Sequence, residues 1–208
     1  MTPQDIEQLF TCSDDSYLFA RWERPIVPIV FGVDDATLST VKGACEAIVT
    51  LAGHKMAETD TEMGANLMVF FFRQWEELLQ VPDLDKLVPD LAPLVARLAE
   101  ADANQYRAFR FEQSGAIRAA FVFLRMDDAL SEQPAEDIAL SQMAQSILSW
   151  SDRAFTTRSP LARTPEGTIV LHPEIGDVIR AAYDPVMPAA ATDPSHALRL
   201  AARLGRGN

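Results

Sequence analysis

Apolar and polar positions alternate between helical and strand periods along this chain, and the switches divide it into elements. Residues 3–20 read as a short amphipathic helix followed by a turn at Ser13-Asp14-Asp15-Ser16. The run Pro25–Phe31, PIVPIVF, reads as a strand closed by Gly32, and Pro28 inside it removes a ladder donor, which favours an edge position or a bulge. Asp34 and Asp35 offer an N-cap, after which Leu38, Val41, Cys45, Ile48 and Ala52 recur at helical spacing. Gly53 stands where such a helix ends in a left-handed residue, and a short second strand is expected near His54–Glu58. Asn66–Phe72, NLMVFFF, is apolar on both faces and predicts a central strand. Arg73–Gln80 looks helical, and Pro82, Pro89 and Pro93 punctuate a partly helical crossing to about Asp102.

Residues 105–125 carry the clearest local signal. Two β-rich runs flank Ser114-Gly115, a dipeptide suited to a tight hairpin. The first, YRAFRFEQ, keeps polar groups on both faces, and the second is apolar on both from Ala119 to Leu124. Burial therefore places the second inside the sheet and the first at its edge. Pro134 with Glu136-Asp137 opens a helix over 134–150, with an apolar stripe of Leu140, Met143, Ala144, Ile147 and Leu148. Ser151–Pro173 reads as loop, and helices follow at about 173–182 and 195–204. Phe71, Phe121, Phe123, Ile147 and Leu148 are expected to be buried in one cooperative core. The reading is an α+β fold, a single domain over 1–208 with no internal repeat.

Composition narrows the function classes. Of 208 residues 48% are apolar and 23% charged, and the formal net charge is −12. Mean hydropathy is −0.01, and with no run near eighteen apolar residues a membrane span is not expected. The charge is uneven. Residues 1–103 hold 7 basic and 18 acidic side chains, and residues 104–208 hold 11 and 12. A surface this acidic repels a phosphate backbone, and Arg199, Arg203 and Arg206 are too few to reverse that field, so nucleic acid is not an expected partner. Cys12 and Cys45 fit no CxxC pattern, and Cys45 on its apolar stripe reads as a small buried side chain. MTPQDIEQLF has neither the positive nor the apolar region of a secretory signal, which makes the expected location cytoplasmic.

Familiar catalytic patterns are mostly missing. The nine glycines form neither GxGxxG nor GxxxxGK[ST], and there is no GxSxG elbow. His54, His172 and His196 form no HxxxH or HxH pair; His54 just after a helix suits a structural place against the helix dipole. Glu58, Asp60 and Glu62 alternate without EF-hand spacing and read as a solvated acidic loop. Asp127-Asp128 reads as a strand-ending turn. Phe70, Phe71, Phe72 and Trp75 read as core, while Trp150 at a helix end is ambiguous.

Several stretches resemble landmarks of a bacterial family of uncharacterised zincin-like proteins, which share the metalloprotease fold. They are Arg21-Trp22-Glu23-Arg24-Pro25-Ile26, Gly64-Ala65-Asn66-Leu67-Met68-Val69, Gly115-Ala116-Ile117 and Ala182-Tyr183-Asp184-Pro185. The resemblance spans about residues 17–204 and implies a mixed sheet of about five strands, with a core over about 17–185 and a C-terminal helix. It also implies an edge strand above the helix that in active zincins carries HExxH. Here the helix reads Ile138-Ala139-Leu140-Ser141-Gln142-Met143-Ala144-Gln145, a degenerate form with no imidazole to hold zinc. No cofactor, metal ligand or catalytic residue is expected. The leading expectation is a non-catalytic binding protein whose edge strand 105–113, with Tyr106, Arg107 and Arg110, takes up an acidic extended peptide or protein segment. Arginines serve equally well to protect a bare edge. Two other readings stay open: a hydrolase using Asp127, Asp128 or Glu132 with a distant histidine, and a structural subunit of an oligomer.

Overall fold

Every long strand of the computed structural model, which describes residues 1–204, joins one sheet. In chain order the first half comprises α1 (Pro3–Gln8), β1 (Phe19–Ala20), β2 (Pro28–Phe31), α2 (Asp35–Leu51), β3 (Leu67–Phe72), a 3-10 helix (Trp75–Gln80), α3 (Leu84–Leu87) and α4 (Leu91–Glu100). The second half comprises β4 (Gln105–Phe111), β5 (Ile117–Arg125), α5 (Asp128–Ser131), α6 (Ala135–Ser146), β6 (Leu161–Arg163), β7 (Ile169–Leu171), α7 (Pro173–Ala182), β8 (Ala190–Ala191) and α8 (His196–Ala201).

The sheet runs β2-β3-β5-β4, with β3 parallel to both neighbours and β4 antiparallel at one edge. The fold is α+β with a mixed sheet of four strands; β1 with β8, and β6 with β7, form separate pairs. Pro28 sits on the edge strand β2, where its missing donor costs no ladder bond. β3 and β5 are apolar on both faces because both faces are covered. Leu67, Val69, Ala120, Val122 and Leu124 join the core formed with α2, α6 and α7. Met68, Phe70, Phe72, Phe121 and Phe123 join a second core under the 3-10 helix, α3 and α4. The expected single core is thus two apolar layers separated by the sheet. Ile147 and Leu148 lie in the first and Phe121 and Phe123 in the second, while Phe71 is only half-buried.

Local chemistry accounts for the element ends. Asp34 caps α2 by accepting from the Thr37 amide at 2.8 Å. Gly32 closes β2 at φ +82°, where an added Cβ would stand 2.0 Å from the Phe71 carbonyl oxygen, so only glycine fits. The strand expected near His54–Glu58 is a single bridge between Ile26 and Met56. Pro28 lacks the amide that the next rung after Ile26 would use, so the ladder cannot extend past it. The expected helix over 134–150 ends at Ser146, because Leu148 turns out to pair with Arg21. α8 is shorter than the expected 195–204 helix. Arg206 of the C-terminal arginine cluster lies outside the described residues.

Residues 21–26, 64–69 and 182–185 hold the far end of α6 and the start of β3. The Trp22 indole N–H donates to the Ser146 carbonyl at 2.9 Å, and the Tyr183 hydroxyl donates to the Ile147 carbonyl at 3.0 Å. Asn66 is fully buried, accepts from the Val27 amide at 2.8 Å and donates to the Pro25 carbonyl at 2.9 Å. These bonds cap carbonyls and amides that the sheet and helix leave free, and so fix α6 relative to the sheet. No described helix is long and apolar enough to cross a membrane.

Candidate functional site

The hairpin register decides which part of β4 is available. The Arg125 amide donates to the Asn104 carbonyl at 2.8 Å, and pairing continues Tyr106↔Phe123, Ala108↔Phe121 and Arg110↔Ala119. Antiparallel alternation then turns the N–H and C=O groups of Gln105, Arg107 and Phe109 away from β5. Among the described residues no hydrogen bond from another element reaches them. The outer edge of β4 is bare.

Those same three residues, with Tyr106, line a cleft of about 850 Å³ that Ser141 and Gln145 of α6 and Trp150, Phe155 and Arg158 of the following segment also line. That segment is braced: the Trp150 indole donates to the Ala144 carbonyl at 2.9 Å and stacks on Phe10 at 5.2 Å.

Arg107 joins strand to helix. Its Nη1 donates to Gln142 Oε1 at 2.6 Å and its Nη2 to Gln145 Oε1 at 2.5 Å. Gln142 Nε2 donates onward to Gln105 Oε1 at 2.9 Å, and Gln145 Nε2 to Ser141 Oγ at 3.0 Å. Residues three apart on a helix face the same way, so the two amides present a matched pair of carbonyls to the planar guanidinium. The partners are neutral, and no carboxylate among the described residues lies within 4.0 Å of Arg107. The backbone is open to solvent while the guanidinium points inward, and burial pushes its pKa down to about 10. It stays charged at neutral pH without a counter-ion.

Of the expected edge residues, Tyr106 lines the same cleft as Arg107 while also packing against the second core, and Arg110 lies on the opposite face of β4. Arg110 gives two hydrogen bonds to the Leu87 carbonyl, at 3.0 and 2.7 Å, closing the C-terminal end of α3. An acidic segment could not use both arginines at once, because a strand sends residues three apart to opposite faces.

Asp127 and the three histidines have structural partners. Asp127 caps α5 by accepting from the Leu130 amide at 2.8 Å, which with Asn104 and Arg125 holds its carboxyl below the usual range. His54 Nε2 bonds the Arg24 carbonyl, His172 caps α7 and His196 bonds Tyr17. Among the described residues no group of three or more His, Cys, Asp or Glu side chains could hold a metal ion. The acidic stretch 58–62 is no solvated loop at its centre. Burial alone would raise the Asp60 pKa, yet bonds from the Met63 and Glu62 amides, Arg24 and Asn66 hold it down to about 2.

Sequence reading missed Gln105, Ser141, Gln142, Gln145 and Phe155. The available signal was the spacing of 141, 142 and 145: three polar side chains on one side of the helix, of which Gln142 and Gln145 are buried. Compared with models of known protein families, with curated proteins and with solved structures, the chain matches none.

Proposed function

We propose that this protein is a non-catalytic binding protein on a zincin-like scaffold, and that it takes up an extended polypeptide segment along the free edge of β4. The carrying observation is the coincidence of bare backbone groups at Gln105, Arg107 and Phe109 with a cleft lined by the same residues. Strand addition supplies main-chain hydrogen bonds, and a cleft beside it supplies selectivity.

The zincin-like part of the reading rests on the four resembling stretches and on the antiparallel edge strand lying against α6. Ser141, Gln142 and Gln145 stand at i, i+1 and i+4, the spacing of HExxH. They do not fit zinc. A hydroxyl and two amides offer no imidazole, and both amide carbonyls already accept from a guanidinium. No metal-activated water enters the function proposed.

Phe109→Pro tests the reading. Proline removes an outward amide without touching a β4–β5 bond. Peptides selected from a displayed random heptapeptide library on the native chain are expected to lose binding to this variant and to keep it on Phe109→Ala, which removes the same ring from the edge of the first core but leaves the amide. Peptides that bind the native and Phe109→Pro chains equally, or that protect amides away from β4 from hydrogen exchange, would overturn it.

A further inference from the structure

We propose that the cleft selects an aspartate or glutamate in the captured segment, with the Arg107 guanidinium as the carboxylate-binding centre. The inference rests on the groove reading above and adds its chemistry. Arg107 spends one N–H on each glutamine and keeps further donors, and it has no anionic partner. Removing a charge from water costs several kcal/mol unless a partner compensates, and two neutral amides compensate only in part. The missing partner is a carboxylate, whose two oxygens match the guanidinium fork.

Charge around the cleft agrees. On a chain of net charge −12 the lining carries Arg107 and Arg158 against the single acid Asp152. Asp152 is already committed, accepting from the Ser13 amide at 2.9 Å. Arg158 makes no hydrogen bond or ion pair among the described residues, although it also lines the neighbouring cleft beside Asp5 and Glu7, so the cleft's own charge rests on Arg107. The bare backbone of β4 decides the kind of ligand. A strand laid along it sends alternate side chains down towards α6, and the one opposite Arg107 meets the guanidinium. The glutamines set the geometry: their fixed carbonyls hold the fork flat between strand and helix.

The same heptapeptide library separates this inference from the reading it rests on. On the native chain the selected peptides should share Asp or Glu at one position. Replacing that residue by Asn or Gln should weaken binding about tenfold to a hundredfold, the loss expected for a charge-assisted bond. On Arg107→Gln the same replacement should change nothing. Gln145→Glu is the second variant. It places a carboxylate against Arg107 from within, so it should raise Tm and erase the acid preference together, whereas a merely structural arginine would show only the gain in Tm. Selected peptides with no acid preference, or a preference that survives Arg107→Gln, would overturn the inference and leave the groove standing. Binding of free glutarate at Arg107 without any peptide would replace it by a small-molecule site. A library that yields no binder removes both readings.

Discussion

Arg107 of β4 and Gln145 of α6 meet at 2.5 Å across the gap between sheet edge and helix, a cation held by an amide where a carboxylate would be the stronger partner. Glutamate in place of this glutamine would compensate the charge at once, and the cleft would then hold no unmatched cation. A buried cation with neutral partners is what the proposed carboxylate site requires, and Gln145→Glu measures how much the missing charge is worth.

Phe121→Ala is expected to cost about 3–5 kcal/mol, as for other buried aromatic truncations. Phe121 is 1% exposed and lies in the layer between the sheet and α4. Urea unfolding measures it, and a cost below about 1 kcal/mol would mean that the layer under the 3-10 helix, α3 and α4 contributes little to the cooperative unit.

Trp22→Phe tests the anchoring of α6. The variant keeps an aromatic ring but removes the donor to the Ser146 carbonyl, leaving a buried acceptor without its partner. The expected cost is about 1–3 kcal/mol. If the Trp22 bond sets the tilt of α6, amide exchange over residues 142–147 should accelerate beyond the global change. Uniform acceleration would limit Trp22 to filling space.

Much of the scaffold was readable because strong local signals coincide with its elements. NLMVFFF is apolar on both faces and is the central parallel strand; Ser114-Gly115 lies in the hairpin loop, with the polar strand outside and the apolar one inside. What the sequence concealed depends on contacts between distant residues. Phe19 and Ala20 form a strand only because Ala190 and Ala191 lie beside them. The three-residue strands β6 and β7 are half-buried at most and carry too few residues for a period to show. The site divided in the same way. Arg107 was visible as an arginine on an edge strand, but its partners lie 35 and 38 residues away on a helix, beyond any local pattern.

Acid sensitivity is expected in two windows of the same sign. Burial, helped by Arg199, lowers the His196 pKa to about 4, against an ordinary 6.5. The unfolded chain takes up that proton first, so stability is complete above about 6.5 and declines as pH falls towards 4. Asp60 is held at about 2 against an ordinary 3.8, so its contribution is present above about 4 and is lost as pH falls towards 2. Unfolding midpoints across pH 2–8 should show both slopes. His196→Gln, which keeps a partner for the Tyr17 hydroxyl, should flatten only the upper window, and Asp60→Asn only the lower. A His196→Gln profile parallel to the native one would mean that this imidazole is not held neutral by its surroundings.

Grafting the absent metal ligands gives the sharpest test of the scaffold reading. Ser141→His, Gln142→Glu and Gln145→His together write HExxH at positions 141–145 of α6, on the side that faces Arg107. The glutamate written at 142 would itself pair with the Arg107 guanidinium, which donates to the Gln142 side chain, and so be drawn away from water on a zinc ion. The triple variant with Arg107→Ala added should bind zinc, read by competition with a chromophoric chelator. Two imidazoles one helical turn apart can share a tetrahedral ion only if the cleft above them is open. Failure to bind zinc even with Arg107→Ala added would remove the zincin-like reading of the helix while leaving the free edge of β4 untouched.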